Sequence, residues 1–183
     1  GRSGTFILGP ELESFEAALA SWTGFEHAVG LANGTDALEI ALRANGCGPG
    51  SKVLTSPLSA FATTLAILKL GAEPVFVDVS PNGKLDTAKC AEVLRARNDI
   101  QYFLPVHLYG DSPLRVELPD SVITIDDCAQ ALGAATTGQT ATVSFYPTKH
   151  LGAFGDGGAI LTRDREVAGR ARRLRDYGQE SKY

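Results

Sequence analysis

The sequence is poor in cysteine, in excess positive charge and in long apolar runs. Cys47, Cys90 and Cys128 are the only cysteines among 183 residues. An odd count with no CxxC pair and no Cys/His cluster is neither a disulfide framework nor a metal-ligand set. That usage fits a reducing, cytoplasmic setting. Lys plus Arg is 17 against 21 Asp plus Glu, for a net charge of −4. A nucleic-acid backbone is therefore not expected as a partner, because phosphate binding needs concentrated positive charge. No apolar run approaches the length of a membrane span, and none is expected. The opening Gly1-Arg2-Ser3-Gly4-Thr5 lacks the apolar core of a signal peptide. It also lacks an initiator methionine, as a trimmed chain would. Thr136-Thr137-Gly138-Gln139-Thr140 lacks the Gly-Lys-Ser/Thr of a Walker A loop, which excludes a nucleoside triphosphatase of that type.

What is present is an ordinary globular balance, 44% hydrophobic and 21% charged. The length suits one domain. Twenty glycines and nine prolines are dispersed along the chain, unlike collagen or low-complexity sequence. Leu12, Phe15, Leu19 and Trp22 recur at helical spacing and predict a helix over 10–22, which Gly24 ends. Apolar runs at 27–32, 52–55, 74–78, 102–104, 122–125, 141–145 and 159–162 predict strands. Helices are predicted over 37–44, 59–70, 85–97 and 164–177. Strands alternating with helices imply an α/β fold, a sandwich with a mostly parallel central sheet. The stretches between Tyr109 and Val122 and between Gly133 and Val143 are short for crossover helices. The strand at 159–162 follows a turn rather than a helix, so it is expected to run antiparallel.

In an open parallel sheet, ligands bind beyond the carboxyl ends of the strands, so polar residues just after apolar runs are the candidates. Asn33-Gly34-Thr35-Asp36 joins a strand to a helix. It is either an N-cap or an anion site, and the cap reading alone is favoured about two to one. Ile125-Asp126-Asp127-Cys128-Ala129-Gln130 puts two carboxylates at a strand end. One could hold a cationic ring nitrogen, although a strand-end acid is more often merely solvated. Ser144-Phe145-Tyr146-Pro147-Thr148-Lys149-His150 places a lysine in a short loop, where a Schiff-base amine is one reading and a surface lysine the other. His150 reads as a local hydrogen-bonder. His107 either faces the crevice or is a satisfied structural histidine, with the two about even. The Arg-rich helix from Arg163 to Arg175 reads as a solvated face or an interface rim.

Taken in order, these pieces resemble the fold-type-I pyridoxal-phosphate aminotransferases, and more narrowly the DegT/DnrJ/EryC1/StrS sugar aminotransferases. The likeness runs over nearly the whole chain. It rests on Asn33 to Leu38, Gly71 to Asp78, Pro105 to Gly110, Asp127 to Gly133, Ser144 to Gly158 and the tail Gly178 to Tyr183. It implies pyridoxal 5′-phosphate as cofactor and a transferase-like large domain over 1–183, with a small C-terminal domain expected beyond it. It implies that Lys149 forms the Schiff base and shuttles the proton, and that Asp127 pairs with the pyridinium nitrogen with Asp126 beside it. It implies that Gln130 bonds the ring's phenolic oxygen, and that Gly34, Thr35 and Ser144 hold the phosphate. The position where the family carries a stacking aromatic holds Ala60, with Phe61 next, and the stacking residue stays open. The implied reaction moves an amino group from glutamate or glutamine to a nucleotide-linked ketosugar, with a lean to the 3-keto class, or to a keto-cyclitol. A homodimer is implied, with the helices at 10–22 and 164–177 contributing. A pyridoxamine-dependent sugar dehydratase and a non-catalytic sensor or scaffold are the competing readings. The first normally replaces the lysine that is present here.

Overall fold

A computed structural model describes residues 4–5, 7–110 and 116–179. Arg2 and Ser3, the 111–115 part of the first short connection, and Glu180 to Tyr183 of the tail lie outside the described residues. Within them the elements follow in the order α1 (Pro10–Thr23), β1 (His27–Leu31), α2 (Gly34–Ala44), β2 (Lys52–Thr55), α3 (Phe61–Lys69) and β3 (Glu73–Phe76). Then come α4 (Thr87–Ala96), β4 (Tyr102–Phe103), β5 (Ile123–Asp127), β6 (Thr140–Ser144), β7 (Gly158–Thr162) and α5 (Arg165–Arg175). Local chemistry sets many of the ends. Pro10 opens α1 and Gly24 closes it at φ 74°, a left-handed position that suits glycine. Asn33, Asp86 and Asp164 cap α2, α4 and α5 through side-chain oxygens.

The strands form one sheet in the order β1-β7-β6-β5-β4-β2-β3. The β2–β3, β2–β4, β4–β5 and β5–β6 pairs are parallel. Strand β7 is antiparallel to both β1 and β6. The reason is the one the sequence offers: 145–157 contains no helix, so the chain turns back instead of crossing over. Residues 128–139 likewise join β5 to β6 without a helix.

Alternation along the strands splits the core into two faces. Val29, Val53, Leu104, Ile125 and Ile160 pack with α2, α3 and α5 residues such as Leu42, Ile67 and Ala168. On the other face Ala28, Ala141, Val143 and Leu161 meet Leu19 and Ala20 of α1. Leu54 and Phe103 meet Cys90 and Leu94 of α4. The result is three layers, helix–sheet–helix, with the sheet ends left to line a site. The arginines of α5 do more than face solvent. Arg170 and Arg172 donate to the Ala44 and Ala28 carbonyls, and Arg175 bonds Glu16 and Gly30. The apolar residues of α5, Val167, Ala168 and Ala171, are buried in the chain's own core. They are therefore not available as an apolar face for the dimer implied above. On α1, Trp22 remains 64% exposed. Among the described residues no helix is long and apolar enough to cross a membrane.

Candidate active site

The capping of α2 decides which of its backbone donors are free. The Asn33 side chain accepts from Asp36 N at 2.8 Å, and Asn33 O accepts from Ala37 N at 3.1 Å. The N–H groups of Gly34 and Thr35, in the first turn, have no intrahelical acceptor. They sit at the positive end of the helix. Gly34 lies against the end of β6, so closely that a Cβ there would be 2.8 Å from Ser144 Cβ. Gly34, Thr35 and Ser144 thus meet at one wall of a cavity of about 540 Å³. The cap reading and the anion reading are not rivals in this geometry. Asn33 caps the helix, and the two residues after it keep their donors.

Asp127 closes another part of the same cavity. It is 4% exposed, not solvated as a strand-end acid usually is. Its Oδ2 accepts from the Thr63 hydroxyl at 2.9 Å and its Oδ1 from Ala129 N at 3.1 Å. Thr63 is in turn 2.6 Å from Ser59 Oγ. Burial pushes the Asp127 carboxyl up from its ordinary value. The Ala129 and Thr63 hydrogen bonds and the nearby His107 and Lys149 work against that rise. A buried carboxylate with no cation against it is costly, and a cationic group brought into the cavity would offset that cost.

Lys149 lines this cavity as well. Its backbone N–H bonds Tyr146 O at 2.8 Å, which tightens the loop after β6, and its Nζ donates to Gln130 Oε1 at 2.6 Å. A second hollow of about 380 Å³, lined by Tyr109, Gln130, Thr148 and His150 among others, shares Lys149. The amine therefore stands where an inner cavity and an outer cleft meet. Gln130 lines the outer cleft and is held by Lys149, away from the inner wall. His150 is exposed, and no hydrogen bond of its own is found among the described residues, unlike the sequence expectation. Ala60 lines the inner cavity, whereas Phe61 is 70% exposed and does not.

His107 is a buried histidine at 3% exposure, with Nε2 2.7 Å from Asp126 Oδ1. It does not line the cavity. Asp126 is fully buried and its other oxygen accepts from Gly138 N at 2.7 Å. The adjacent acids thus face opposite sides of the sheet. Sequence reasoning missed Thr63 and Ser59. The signal was a pair of hydroxyls four residues apart at the start of an otherwise apolar helix. Among the described residues no group of three or more metal-ligating side chains occurs.

A wall with unpaired backbone N–H groups, a buried carboxylate and a lysine amine, all lining one cavity, fit a flat, anionic, ring-nitrogen cofactor that bears a carbonyl. Comparison with known proteins points the same way. The model of the DegT/DnrJ/EryC1/StrS aminotransferase family matches residues 1–183. A dTDP-3-amino-3,4,6-trideoxy-alpha-D-glucose transaminase of Micromonospora megalomicea subsp. nigra is 44% identical, over 99% of this chain and 51% of its own length. A protein of Geobacillus stearothermophilus named as a pleiotropic regulatory protein is 40% identical, over 100% of this chain and 52% of its own. The crystal structure of S. venezuelae DesV in complex with a ketimine intermediate superposes with a TM-score of 0.90 at 39% identity, covering 100% of this chain and 52% of that one. The chain spans about half the length of the relatives it matches.

Proposed function

Because the chain belongs to the DegT/DnrJ/EryC1/StrS aminotransferase family, we propose that it is the cofactor-binding large domain of a pyridoxal 5′-phosphate-dependent aminotransferase. The reaction would move an amino group from glutamate or glutamine onto a nucleotide-linked ketosugar or a keto-cyclitol. The lean to a 3-keto sugar is supported by the relative named as a transaminase for a 3-amino sugar. The observation that carries the reading is the placement of Lys149 on the same cavity as Asp127 and the Gly34–Ser144 wall.

Pyridoxal 5′-phosphate, when bound, supplies a carbonyl for amine exchange and a ring that accepts electrons. The chain's own groups do the rest. The Gly34 and Thr35 N–H groups and the Ser144 hydroxyl hold the phosphate at the start of α2. Asp127 keeps a proton on the ring nitrogen, with Thr63 and Ala129 fixing the direction of its carboxylate. Gln130, bonded to Lys149 Nζ at the mouth of the cavity, would serve the ring's oxygen if its side chain turned toward the inner cavity. Lys149 Nζ would hold the cofactor through its carbonyl carbon and, as a free amine, would take and return the proton at the substrate's carbon. The outer cleft at Tyr109 and His150 is then the place for the sugar.

The whole enzyme would be a cytoplasmic homodimer with a small C-terminal domain. Buried, unpaired thiols support the compartment. Exposed Tyr146, Leu151 and Phe154 on the lysine loop support the dimer.

Borohydride reduction followed by peptide mapping of the full-length, cofactor-loaded protein tests the reading. The cofactor should be fixed to the peptide containing Lys149, and Lys149→Ala should lose transamination while retaining cofactor. A label on Lys52, Lys69, Lys84, Lys89 or Lys182 would overturn it. A regulatory role, as the Geobacillus relative's name carries, would leave the Lys149→Ala protein as effective in the cell as the parent.

A further inference from the structure

Asp127 sits at the last residue of β5, where regular pairing is running out. Strand β4 ends at Phe103. Beyond it, among the described residues, backbone hydrogen bonds tie the chain to β5 only around one residue: Asp127 N donates to Pro105 O at 2.9 Å and His107 N donates to Asp127 O at 3.0 Å. Pro105 has no N–H to add a further rung. What else fastens 105–107 to β5 is the His107 ring. Its Nε2 lies 2.7 Å from Asp126 Oδ1, inside the molecule.

Asp126 does not serve His107 alone. Its Oδ2 accepts from Gly138 N at 2.7 Å and its Oδ1 also takes the Thr137 hydroxyl at 3.3 Å. Gly138 is pressed into place, since a Cβ there would be 2.4 Å from Thr124 O. Those two residues lead into β6, which delivers Ser144 and the loop of Lys149. One buried carboxylate therefore clips the extension of β4, the end of β5 and the start of β6 together. It does so on the sheet face away from the cavity, because Asp126 and Asp127 alternate.

A histidine–carboxylate pair in the interior is seldom the most stable filling for its space. Its value lies in fixed geometry, and the fixed point here is the backbone that bears Asp127. We propose that His107, through Asp126, is a positioning residue for Asp127, holding the β5 end so that the Asp127 carboxylate meets the ring nitrogen of the cofactor. This rests on the reading of Asp127 given above.

The test compares the full-length apoprotein's affinity for pyridoxal 5′-phosphate with that for its 1-deaza analogue, which keeps the aldehyde and phosphate but has no ring nitrogen. The parent protein should prefer the nitrogen-bearing compound by at least about tenfold, the worth of a charged hydrogen bond. His107→Leu should bring the ratio to within about threefold of unity while the analogue still binds, and His107→Gln, which keeps a donor near the Nε2 position, should restore most of it. If His107→Leu does not fold, Asp126→Asn is the second variant, since it turns an amide donor toward the Gly138 N–H or the His107 ring. Equal loss for both compounds would mean a merely structural histidine and overturn the proposal, as would an unchanged ratio. A parent protein with no preference would instead overturn the Asp127 assignment itself.

Discussion

Replacing Gly34 by alanine probes the contact that brings α2 and β6 together. The added Cβ would lie 2.8 Å from Ser144 Cβ and 3.1 Å from Ser144 Oγ. Carbon atoms pack best at about 3.5–4.0 Å, so the overlap is most of an ångström. Ser144 Cβ is bonded to the backbone of a buried strand and cannot swing away. Either the first turn of α2 or the end of β6 has to move, which costs about 1–3 kcal/mol for overpacking of this kind. Against that, alanine gains up to about 0.5–1 kcal/mol over glycine in a helix. The steric term is the larger, and the net loss is about 0–2.5 kcal/mol, centred a little above 1. At about 2–4 °C per kcal/mol for a domain of this size, the melting temperature of the apoprotein should fall by several degrees. The same shift moves the Gly34 and Thr35 N–H groups, so affinity for pyridoxal 5′-phosphate and for inorganic phosphate should fall together. Thermal unfolding and titration of the full-length apoprotein measure both. Gly48→Ala is the control, because nothing lies within 4 Å of its added Cβ, and it should be neutral. A Gly34→Ala protein as stable as the parent, with undiminished phosphate affinity, would refute the reasoning.

Two further outcomes follow from buried titratable groups. Burial raises the Asp127 carboxyl in the folded apoprotein, so the stability linked to it is fully present below the unfolded value and is lost as pH rises through the folded one. Asp127→Asn should therefore stabilise the apoprotein at pH 8, by a margin that shrinks toward pH 4 in urea titrations, even as it weakens cofactor pairing; equal margins at both pH values would contradict this. Burial also pushes the Cys90 thiol up to about 12 and raises Cys47 and Cys128, so an Ellman-type reagent should modify these three only on unfolding. Rapid labelling of any of them in the native protein would count against the core described above.

Much of the fold was legible because its signals are local. Helix and strand periods depend on neighbours in the chain, and the lack of a crossover helix over 145–157 was enough to reverse β7. The lysine loop and the strand-end acids stood out because polar residues directly after buried runs are unusual. Other features depended on assembly. Thr63 meets Asp127 across 64 positions, and Gly34 meets Ser144, only because β5 and β6 lie beside each other under α2 and α3. Only the family resemblance divided the labour of Asp126 and Asp127 in advance; by residue type and spacing two adjacent acids look alike until a sheet gives them opposite faces. That the apolar residues of α5 would be buried in the chain's own core was not legible for a related reason: an amphipathic stripe declares that it will be buried, not against what. Residue type and spacing determined which chemistry the chain can carry. Sheet order, which follows from packing between distant segments, decided which of those groups share one cavity.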